Sequence, residues 1–340
     1  MARPNGIRMP AEWEPHERCW MVWPDGAVWE DDLESVERDY TAVVHAISRF
    51  EPVRMIANPH SAARARDLLG SEVEVVVHPV DDAWFRDSGP SFVHLPDGSV
   101  AGVCWRFNGW GGANEAFEKD AALARRVLEE EGLPVITSAL AIEGGAITVD
   151  GQGTLMTTES VVFNANRNPG ITRAHAEAEF ARTLGVERVI WLPGDEEEFG
   201  TNGHIDGMAC FTAPGKALFE WSAEETGERA ELTEENHRAL LDGSDAGDRP
   251  LVLSYLREAS SNSAKGSGEW GYCLSYVNFY IANGGVVMPE YGIPQDAEAR
   301  EVIQAAFPDR EIVQVGITNL ARGGGGIHCI TQQQPKPVDG

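Results

Sequence analysis

The sequence repeats one kind of tight turn along most of its length. Pairs of short apolar segments are joined by turns of Asp, Asn, Pro and Gly near positions 97, 151, 214 and 284. Asp-Gly or Asn-Gly between such segments is a strong signal for a β-hairpin. The recurrence, at intervals of roughly 55 to 70 residues, indicates repeated supersecondary units. The predicted strand pairs are Ser91–Leu95 with Val100–Val103, Ala146–Val149 with Thr154–Thr158, Met208–Phe211 with Ala217–Glu220, and Val277–Ala282 with Val286–Met288.

Segments with the apolar spacing of amphipathic helices separate the hairpins. They are Asp32–Phe50, Ser61–Leu69, Asp120–Glu131, Arg173–Leu184, Thr233–Leu241 and Asp296–Phe307. Strand-like stretches flank or follow several of these helices: Val53–Ala57, Val73–Val77, Val189–Leu192 and Ile312–Val315. Each unit therefore has the order hairpin, helix, strand. About five such units without a dinucleotide-binding fingerprint favour a radial α/β array over a doubly wound sheet.

The chain contains no linker that would divide it into separate domains. We therefore expect residues 1–340 to form one catalytic domain built from about five of these units. The segment Ser260–Ser267 is rich in Ser, Gly and Asn, and it is predicted to be a surface loop within that domain.

The composition is strongly acidic and excludes several classes of partner. The sequence has 54 Asp and Glu against 27 Lys and Arg, a formal net charge of −27. Such a charge repels phosphate backbones and anionic lipid, so we expect no binding to nucleic acid or membranes, whereas a small cation is favoured. The five cysteines form no Cys-x-x-Cys pair, the first twenty residues lack the apolar core of a secretory signal, and no long apolar run occurs. These features predict a cytoplasmic protein.

Unusual polar residues lie beside the predicted hairpins. They are Asp87, Glu143 before two glycines, His204 and Asp206 in one tripeptide, and Cys329 shortly after four glycines. In a radial array the equivalent ends of successive units converge on one axis, so these five side chains are predicted to share one pocket. If residues 204–206 are extended, the imidazole and the carboxylate lie on the same face, because side chains alternate along a strand.

A thiol, an imidazole and several carboxylates together suit a guanidinium group, which is planar and permanently charged. Asp87 and Asp206 can each accept a pair of its N–H groups. The guanidinium carbon is a poor electrophile, so the thiolate of Cys329 would supply nucleophilic catalysis. His204 would protonate the departing ammonia and then deprotonate water. The predicted activity is that of a hydrolase.

Several longer motifs carry a resemblance to a known family. They are Met9-Pro10-Ala11-Glu12-Trp13-Glu14-Pro15-His16, Asp81-Asp82-Ala83-Trp84-Phe85-Arg86-Asp87-Ser88-Gly89-Pro90, Phe107-Asn108-Gly109-Trp110-Gly111-Gly112, Glu143-Gly144-Gly145, Asn164-Ala165-Asn166-Arg167-Asn168-Pro169, Thr201-Asn202-Gly203-His204-Ile205-Asp206, Tyr276-Val277-Asn278-Phe279-Tyr280 and residues 323–334. In these motifs, over nearly the whole chain, the sequence resembles the agmatine deiminases. That family lies within the guanidino-group modifying enzymes, which include the peptidyl-arginine and arginine deiminases.

The resemblance implies a fold and a reaction. The fold is a five-bladed, pseudo-symmetric α/β propeller, in agreement with the radial array indicated by the turns. The reaction is hydrolysis of agmatine to N-carbamoylputrescine and ammonia, and neither a metal nor an organic cofactor is implied. Trp84 and Trp110 lie inside the matching motifs, and we expect them to line the pocket.

The resemblance also implies a role for each candidate residue. Cys329 is the nucleophile, which forms a covalent amidino-thiol intermediate, and His204 is the general acid and base. Asp87 and Asp206 are the ligands of the guanidinium group. Glu143 is the carboxylate that orients His204 or binds the substrate.

The sequence departs from the family pattern beside one of these motifs, which leaves the substrate open. Gly200 and Gly207 stand where relatives commonly carry an acidic residue and Asn. Agmatine would suit the acidic loop Asp195–Glu198, and an arginine within a peptide would need an open pocket mouth, which the two glycines permit. Free arginine would need a cation for its carboxylate, and the candidates are Arg86, Arg167 and Arg322.

Other functions are also compatible with the residues. An amidinotransferase would use an amine instead of water in the second step. His204 and Asp206, together with His328, match the ligand types of a non-haem iron oxygenase site with two histidines and one carboxylate. A non-catalytic propeller would bind the arginine side chains of a partner. A homodimer is compatible with each of these functions.

Overall fold

The computed structural model describes residues 6–25, 29, 32–198, 200–260 and 272–338, and in these ranges the strands form five small sheets. Residues 261–267 of the predicted surface loop lie outside the described ranges. The strands are β1 (His16–Val22), β2 (Val53–Ala57), β3 (Glu74–Val77), β4 (Ser91–His94), β5 (Val100–Cys104), β6 (Val135–Thr137), β7 (Thr148–Val149), β8 (Thr154–Thr158), β9 (Arg188–Leu192), β10 (Ala209–Ala213), β11 (Lys216–Trp221), β12 (Val252–Arg257), β13 (Tyr280–Ala282), β14 (Gly285–Glu290), β15 (Glu311–Gly316) and β16 (Thr331–Pro335).

The longer helices lie where the sequence predicts them. The helices are α1 (Leu33–Ser48), α2 (Ala62–Leu69), α3 (Phe85–Ser88), α4 (Gly109–Gly112), α5 (Glu118–Ala121), α6 (Leu123–Glu130), α7 (Glu159–Val162), α8 (Arg173–Leu184), α9 (Glu228–Asp242) and α10 (Gln295–Ala306). Most bounds agree with the prediction within two residues. The exceptions are α9, which begins at Glu228 instead of Thr233, and the predicted helix Asp120–Glu131, which is divided between α5 and α6. No helix within the described ranges is long and apolar enough to cross a membrane.

Four of the sheets repeat one arrangement. The first strand runs antiparallel to the second through a tight turn, the second runs parallel to the third, and a helix lies between these two in the chain. The four sheets are β4-β5-β6, β7-β8-β9, β10-β11-β12 and β13-β14-β15. The turns use glycines in the left-handed region, such as Gly151 with φ 70° and Gly284 with φ 83°. The hairpin, helix, strand unit is therefore confirmed.

Three of the predicted first strands begin later than the sequence pattern indicates. β7, β10 and β13 begin at Thr148, Ala209 and Tyr280, whereas the predicted starts were Ala146, Met208 and Val277. The residues ahead of two of these strands form short 3-10 turns, Gly144–Ala146 and Ile205–Gly207. At these turns Glu143 pairs with His204, and Asp206 pairs with His328, each from another unit.

The fifth sheet, β16-β1-β2-β3, joins the two ends of the chain. β1 pairs antiparallel with β16, where Cys19 lies opposite Gln333, and it pairs parallel with β2. The indole Nε1 of Trp20 donates to Oε1 of Gln334 at 2.8 Å. The two antiparallel strands come from opposite ends of the sequence, which is why no fifth turn signal occurs. The architecture confirms the five-bladed, pseudo-symmetric α/β propeller.

The long helices cover the junctions between neighbouring sheets. α1 packs against β15, α10 against β12 and α9 against β9, so each contacts the last strand of the preceding unit. In α1 the buried side chains form one stripe at helical spacing: Val36, Tyr40, Val43, Val44 and Ile47. Adjacent units therefore share apolar cores.

A buried polar cluster fastens β1 to the fourth unit. Glu51 is 4% exposed and accepts a hydrogen bond from the hydroxyl of Tyr280 at 2.6 Å and from the backbone N–H of Asn283 at 2.7 Å. Its Oε1 also lies 3.1 Å from Nδ1 of His16. A buried carboxylate is stable only when it is hydrogen-bonded, so this cluster ties the closing sheet to the hairpin of β13 and β14.

Tyr280→Phe tests this tie. We expect the free energy of unfolding to fall by about 1–3 kcal/mol, because a buried carboxylate loses a hydrogen bond. Tyr255→Phe is the control, since Tyr255 is 44% exposed and its hydroxyl pairs with His237 near the surface. Denaturant unfolding followed by circular dichroism measures both variants. An equal loss in the two would show that the cluster contributes no more than a surface contact.

Candidate active site

Polar side chains lie in the loop directly before the first strand of each sheet. They are Asp87 before β4, Glu143 before β7, His204 and Asp206 before β10, Asn278 before β13, and Cys329 before β16. Because the five units repeat around one axis, these loops meet. The structure thus brings together all five residues that the sequence predicts to share a pocket.

Gly145 marks the point where three of these side chains converge. Its backbone N–H donates to Oδ1 of Asp87 at 2.9 Å. A Cβ atom on Gly145 would lie 2.7 Å from Nδ1 of His204 and 2.9 Å from both Oδ1 of Asp87 and Oδ2 of Asp206. Any other residue would therefore displace the side chains, so glycine is required for this convergence.

The thiol of Cys329 lies beside Asp206 and Asn278. Its Sγ is 3.6 Å from Oδ2 of Asp206 and 3.2 Å from Nδ2 of Asn278. The amide oxygen of Asn278 accepts the backbone N–H groups of His328 and Cys329 at 3.0 and 3.3 Å. These two donors fix the orientation of the amide, whose Nδ2 and Oδ1 lie 3.2 and 3.4 Å from the sulfur. Sequence reasoning did not single out Asn278, although it lies inside a quoted motif.

Burial and the charge around Cys329 disfavour its ionisation. Burial raises the pKa of the thiol well above its usual range, and the carboxylate of Asp206 raises it further. The glycine run allows close packing beneath the residue, because a Cβ on Gly325 would lie 2.4 Å from the ring of Trp84 and 3.0 Å from Cβ of Cys329. Trp84 therefore lies against the loop that carries the thiol.

His204 is held as an imidazolium between carboxylates. Its Nε2 is 3.0 Å from Oε2 of Glu143, and its Nδ1 is 3.9 Å from Oδ1 of Asp87. Burial by itself lowers the pKa of His204, but Asp87, Glu143 and Asp206 outweigh it and raise the pKa to about 9. Residues 205–207 form a 3-10 turn, so the extended conformation considered for residues 204–206 does not occur.

Glu143 is fully buried and shared between two cations. Arg167 donates through Nε to both carboxylate oxygens at 3.0 and 3.1 Å, and His204 contacts one of them. Burial raises the pKa of Glu143, but His204 and Arg167 outweigh this effect and the pKa is lowered. The carboxylate is therefore ionised and oriented by the arginine.

Asp206 is paired with the second histidine of the site. Its Oδ2 lies 2.9 Å from Nδ1 of His328, whose Nε2 is 2.9 Å from Oε1 of Glu12. Burial and Arg86 lower the pKa of His328, yet Glu12 and Asp206 raise it overall. Both ring nitrogens of His328 are thus bonded to carboxylates. Within the described ranges, no group of three or more His, Cys, Asp or Glu side chains is arranged to hold a metal ion. The geometry therefore does not support the hypothesis of an iron site formed by His204, Asp206 and His328.

The two predicted tryptophans lie beside the site. The indole Nε1 of Trp110 donates to Oδ2 of Asp87 at 2.8 Å, and Phe107 packs edge-on against the indole at 5.0 Å. Trp84 packs against Trp29, with ring centroids 5.7 Å apart. Burial raises the pKa of Asp87, and the neighbouring carboxylate of Asp206 adds to the effect. Trp110 therefore supplies one of the neutral donors to this carboxylate.

The acidic loop before His204 is bonded to its own backbone. Oε2 of Glu198 accepts from the N–H and hydroxyl groups of Thr201 at 3.1 and 2.6 Å and from the N–H of Gly203 at 3.2 Å. A Cβ on Gly200 or Gly207 would meet nothing within 4 Å in the described structure. Glu198 thus holds this loop by hydrogen bonds. Gly200 and Gly207, which differ from the family pattern, have open space beside them.

Comparisons with known proteins agree with this geometry. The model of a family described as Porphyromonas-type peptidyl-arginine deiminase matches residues 8–335. The agmatine deiminase of Pseudomonas aeruginosa is 40% identical over 98% of this chain and 97% of its own length. That of Medicago truncatula is 38% identical over 97% of each chain. The solved agmatine deiminase of Enterococcus faecalis has a TM-score of 0.93 at 36% identity and covers 98% of this chain and 97% of its own. The chain therefore belongs to the Porphyromonas-type peptidyl-arginine deiminase family and is homologous to the agmatine deiminases.

Proposed function

We propose that the protein hydrolyses agmatine at its guanidino group to give N-carbamoylputrescine and ammonia. The observation that carries the proposal is the convergence around Gly145 of two carboxylates and an imidazole, beside the thiol of Cys329. Carboxylate oxygens match the paired N–H groups of a guanidinium in both charge and geometry. The agmatine deiminase relatives support the same reaction, and their match over nearly the whole chain supports one catalytic domain over residues 1–340.

Binding of a cation would prepare the nucleophile. Burial and the carboxylate of Asp206 keep the pKa of Cys329 high. A guanidinium held by Asp87 and Asp206 places a positive charge next to the sulfur, which favours the thiolate. The thiol proton is then released to solvent. The substrate thus supplies the charge that activates the thiol.

The first chemical step forms a carbon–sulfur bond and breaks a carbon–nitrogen bond. The Cys329 thiolate attacks the guanidino carbon and gives a tetrahedral adduct. The His204 imidazolium donates its proton to a terminal nitrogen, which leaves as ammonia, and an amidino group stays on the sulfur. The pKa of about 9 fits this role, because it keeps His204 protonated at neutral pH.

The second step replaces sulfur by oxygen. His204, neutral after the first step, takes a proton from water, and the resulting hydroxide attacks the amidino carbon. The tetrahedral adduct expels the Cys329 thiolate, and the added oxygen becomes the carbonyl of the ureido product once its proton is lost. The amide N–H of Asn278, 3.2 Å from Sγ, stabilises the departing thiolate.

The contacts of the candidate arginines bear on the choice between agmatine and free arginine. Arg167 is fully buried against Glu143. Arg86 is 2% exposed, with Nη1 3.4 Å from Oε1 of Glu12 and Nε bonded to the carbonyl of His328. Arg167 is thus bound to Glu143, whereas Nη2 of Arg86 is buried without a hydrogen-bond partner among the described residues. Arg322, the third candidate, pairs with Asp32 at 3.4 Å. Agmatine carries no carboxylate, so it needs no cationic partner of this kind.

A substrate screen tests the proposal. Agmatine, free arginine and an arginine-containing peptide are each incubated with the enzyme, and ureido product is measured by colorimetry without an added amine. We expect kcat/KM to be highest for agmatine. Ureido product indicates hydrolysis, whereas a new guanidino compound formed from an added amine, without ureido product, indicates amidino transfer. A higher value for arginine or the peptide would contradict agmatine as the substrate. Assembly as a homodimer stays a prediction.

Cys329→Ala tests the covalent step. We expect turnover to be lost while agmatine still binds, because the nucleophile is absent and the carboxylates remain. Cys104→Ala is the control, since Cys104 lies at the end of β5, the second strand of its sheet, whereas Cys329 lies before a first strand. Mass spectrometry of an acid-quenched wild-type reaction should find an amidino adduct on the peptide that contains Cys329. Substantial turnover by Cys329→Ala would rule out the mechanism.

Glu143→Gln tests the electrostatic control of His204. Removing the negative charge should lower the His204 pKa from about 9 by about 1 unit or more, because an adjacent carboxylate favours the imidazolium. NMR of protein with labelled histidine follows the titration, and His204→Gln identifies the signal. Glu179→Gln, in a surface pair with Arg182, is the control. Turnover should fall less than in His204→Ala, and an unchanged His204 pKa would contradict the assignment.

A further inference from the structure

Arg167 is the most completely engaged cation of the site. Its Nε contacts both carboxylate oxygens of Glu143 at 3.0 and 3.1 Å. Its Nη1 donates to the side-chain oxygens of Asn202 and Asn166 at 2.7 and 3.0 Å, and its Nη2 donates to the carbonyl of Thr201 at 2.9 Å. The side chain has no exposed surface. The sequence analysis named Arg167 among the candidate partners for a substrate carboxylate, a role that this burial does not allow.

Arg167 and His204 share one carboxylate. Oε2 of Glu143 lies 3.1 Å from Nε of Arg167 and 3.0 Å from Nε2 of His204. The negative charge of Glu143 is therefore divided between two cations, which also repel each other across it. Arg167 therefore weakens the attraction between Glu143 and His204, and His204 weakens that between Glu143 and Arg167.

Arg167 also holds the loop that carries His204. Thr201 and Asn202 precede the histidine, and both accept hydrogen bonds from the guanidinium group. Asn202 has φ 62°, a left-handed conformation that is uncommon for a residue other than glycine. The planar guanidinium group of Arg167 thus binds both the Glu143 carboxylate and this loop.

We propose that Arg167 is a positioning residue that moderates the proton affinity of His204 by sharing Glu143, and that it also holds the loop from which the histidine projects. The kinetic consequence rests on the proposed deiminase reaction, whereas the effect on the histidine does not.

The charges that face His204 set the sign of the effect. Asp87, Glu143 and Asp206 favour the imidazolium, and burial opposes it. Arg167 is the cation on the far side of Glu143, so its removal leaves that carboxylate to His204 alone. His204 then holds its proton more tightly. The reaction requires the same imidazole to give a proton and then to take one, so tighter binding slows turnover.

The decisive measurement is the His204 titration in Arg167→Gln, followed by NMR without substrate. We expect the pKa to rise from about 9 by about 1 unit, because a like charge close to the imidazolium is removed. Glu143→Gln should move the same pKa downward. General loosening of the site would instead bring both variants toward the ordinary histidine value of about 6.5. A downward shift or no shift in Arg167→Gln overturns the proposal.

Arg167→Lys separates charge from geometry. It keeps the positive charge but lacks the fork, so the His204 pKa should stay within about half a unit of wild type while kcat falls about tenfold and KM changes less. A pKa shift as large as that of Arg167→Gln overturns the role of charge. Arg182→Gln, in a surface pair with Glu179, is the matched control and should change neither value.

Arg167→Lys also decides the matter if Arg167→Gln does not fold. A fall in kcat with the His204 pKa held near about 9 supports the proposal, and an unchanged kcat overturns it. The titration uses no substrate. Failure of the enzyme to turn over agmatine would therefore refute the proposed function without altering the result for Arg167.

Discussion

The antiparallel pairing of β1 with β16 is the interaction on which the arrangement of the site depends. Without it, the chain is a row of four hairpin units and one incomplete sheet. Cys329 lies directly before β16, so the pairing that closes the ring also sets the position of the thiol. The segment before β1 enters the same place, because Glu12 contacts His328. Segments from both ends of the described chain thus meet at the site. The strand pairing that closes the ring therefore also brings the site residues together.

A balance of charge explains why this site suits a guanidinium. Four carboxylates face four cationic side chains when both imidazoles are protonated: Glu12, Asp87, Glu143 and Asp206 against Arg86, Arg167, His204 and His328. Ionisation of Cys329 adds one negative charge without a partner, which is costly in a buried place and fits the raised pKa of the thiol. One bound guanidinium restores the balance. The local arrangement, more than the acidic surface of the whole chain, therefore selects the substrate.

Local signals predicted most of the fold, and long-range contacts account for what they missed. Four hairpins were recognisable because their turn residues favour left-handed backbone, as at Gly284. The fifth sheet has no such signal, since β1 and β16 lie at opposite ends of the sequence. Within the site, titratable residues at the hairpins indicated Cys329 and His204. Asn278 was missed because an amide carries no charge, although its position in the loop before β13 matches that of the other site residues.

The two histidines show why residue type alone does not assign a role. His328 has a carboxylate on each ring nitrogen, so it has no free position from which to exchange a proton with a substrate. It holds Asp206 beside the thiol. His204 is bonded to Glu143 through Nε2, while its Nδ1 lies 3.9 Å from Asp87, beyond hydrogen-bond distance, and points to where the side chains converge. The sequence analysis predicts that His204 carries the proton. The bonding of the second nitrogen distinguishes the two imidazoles, because a proton carrier needs one nitrogen anchored and the other available.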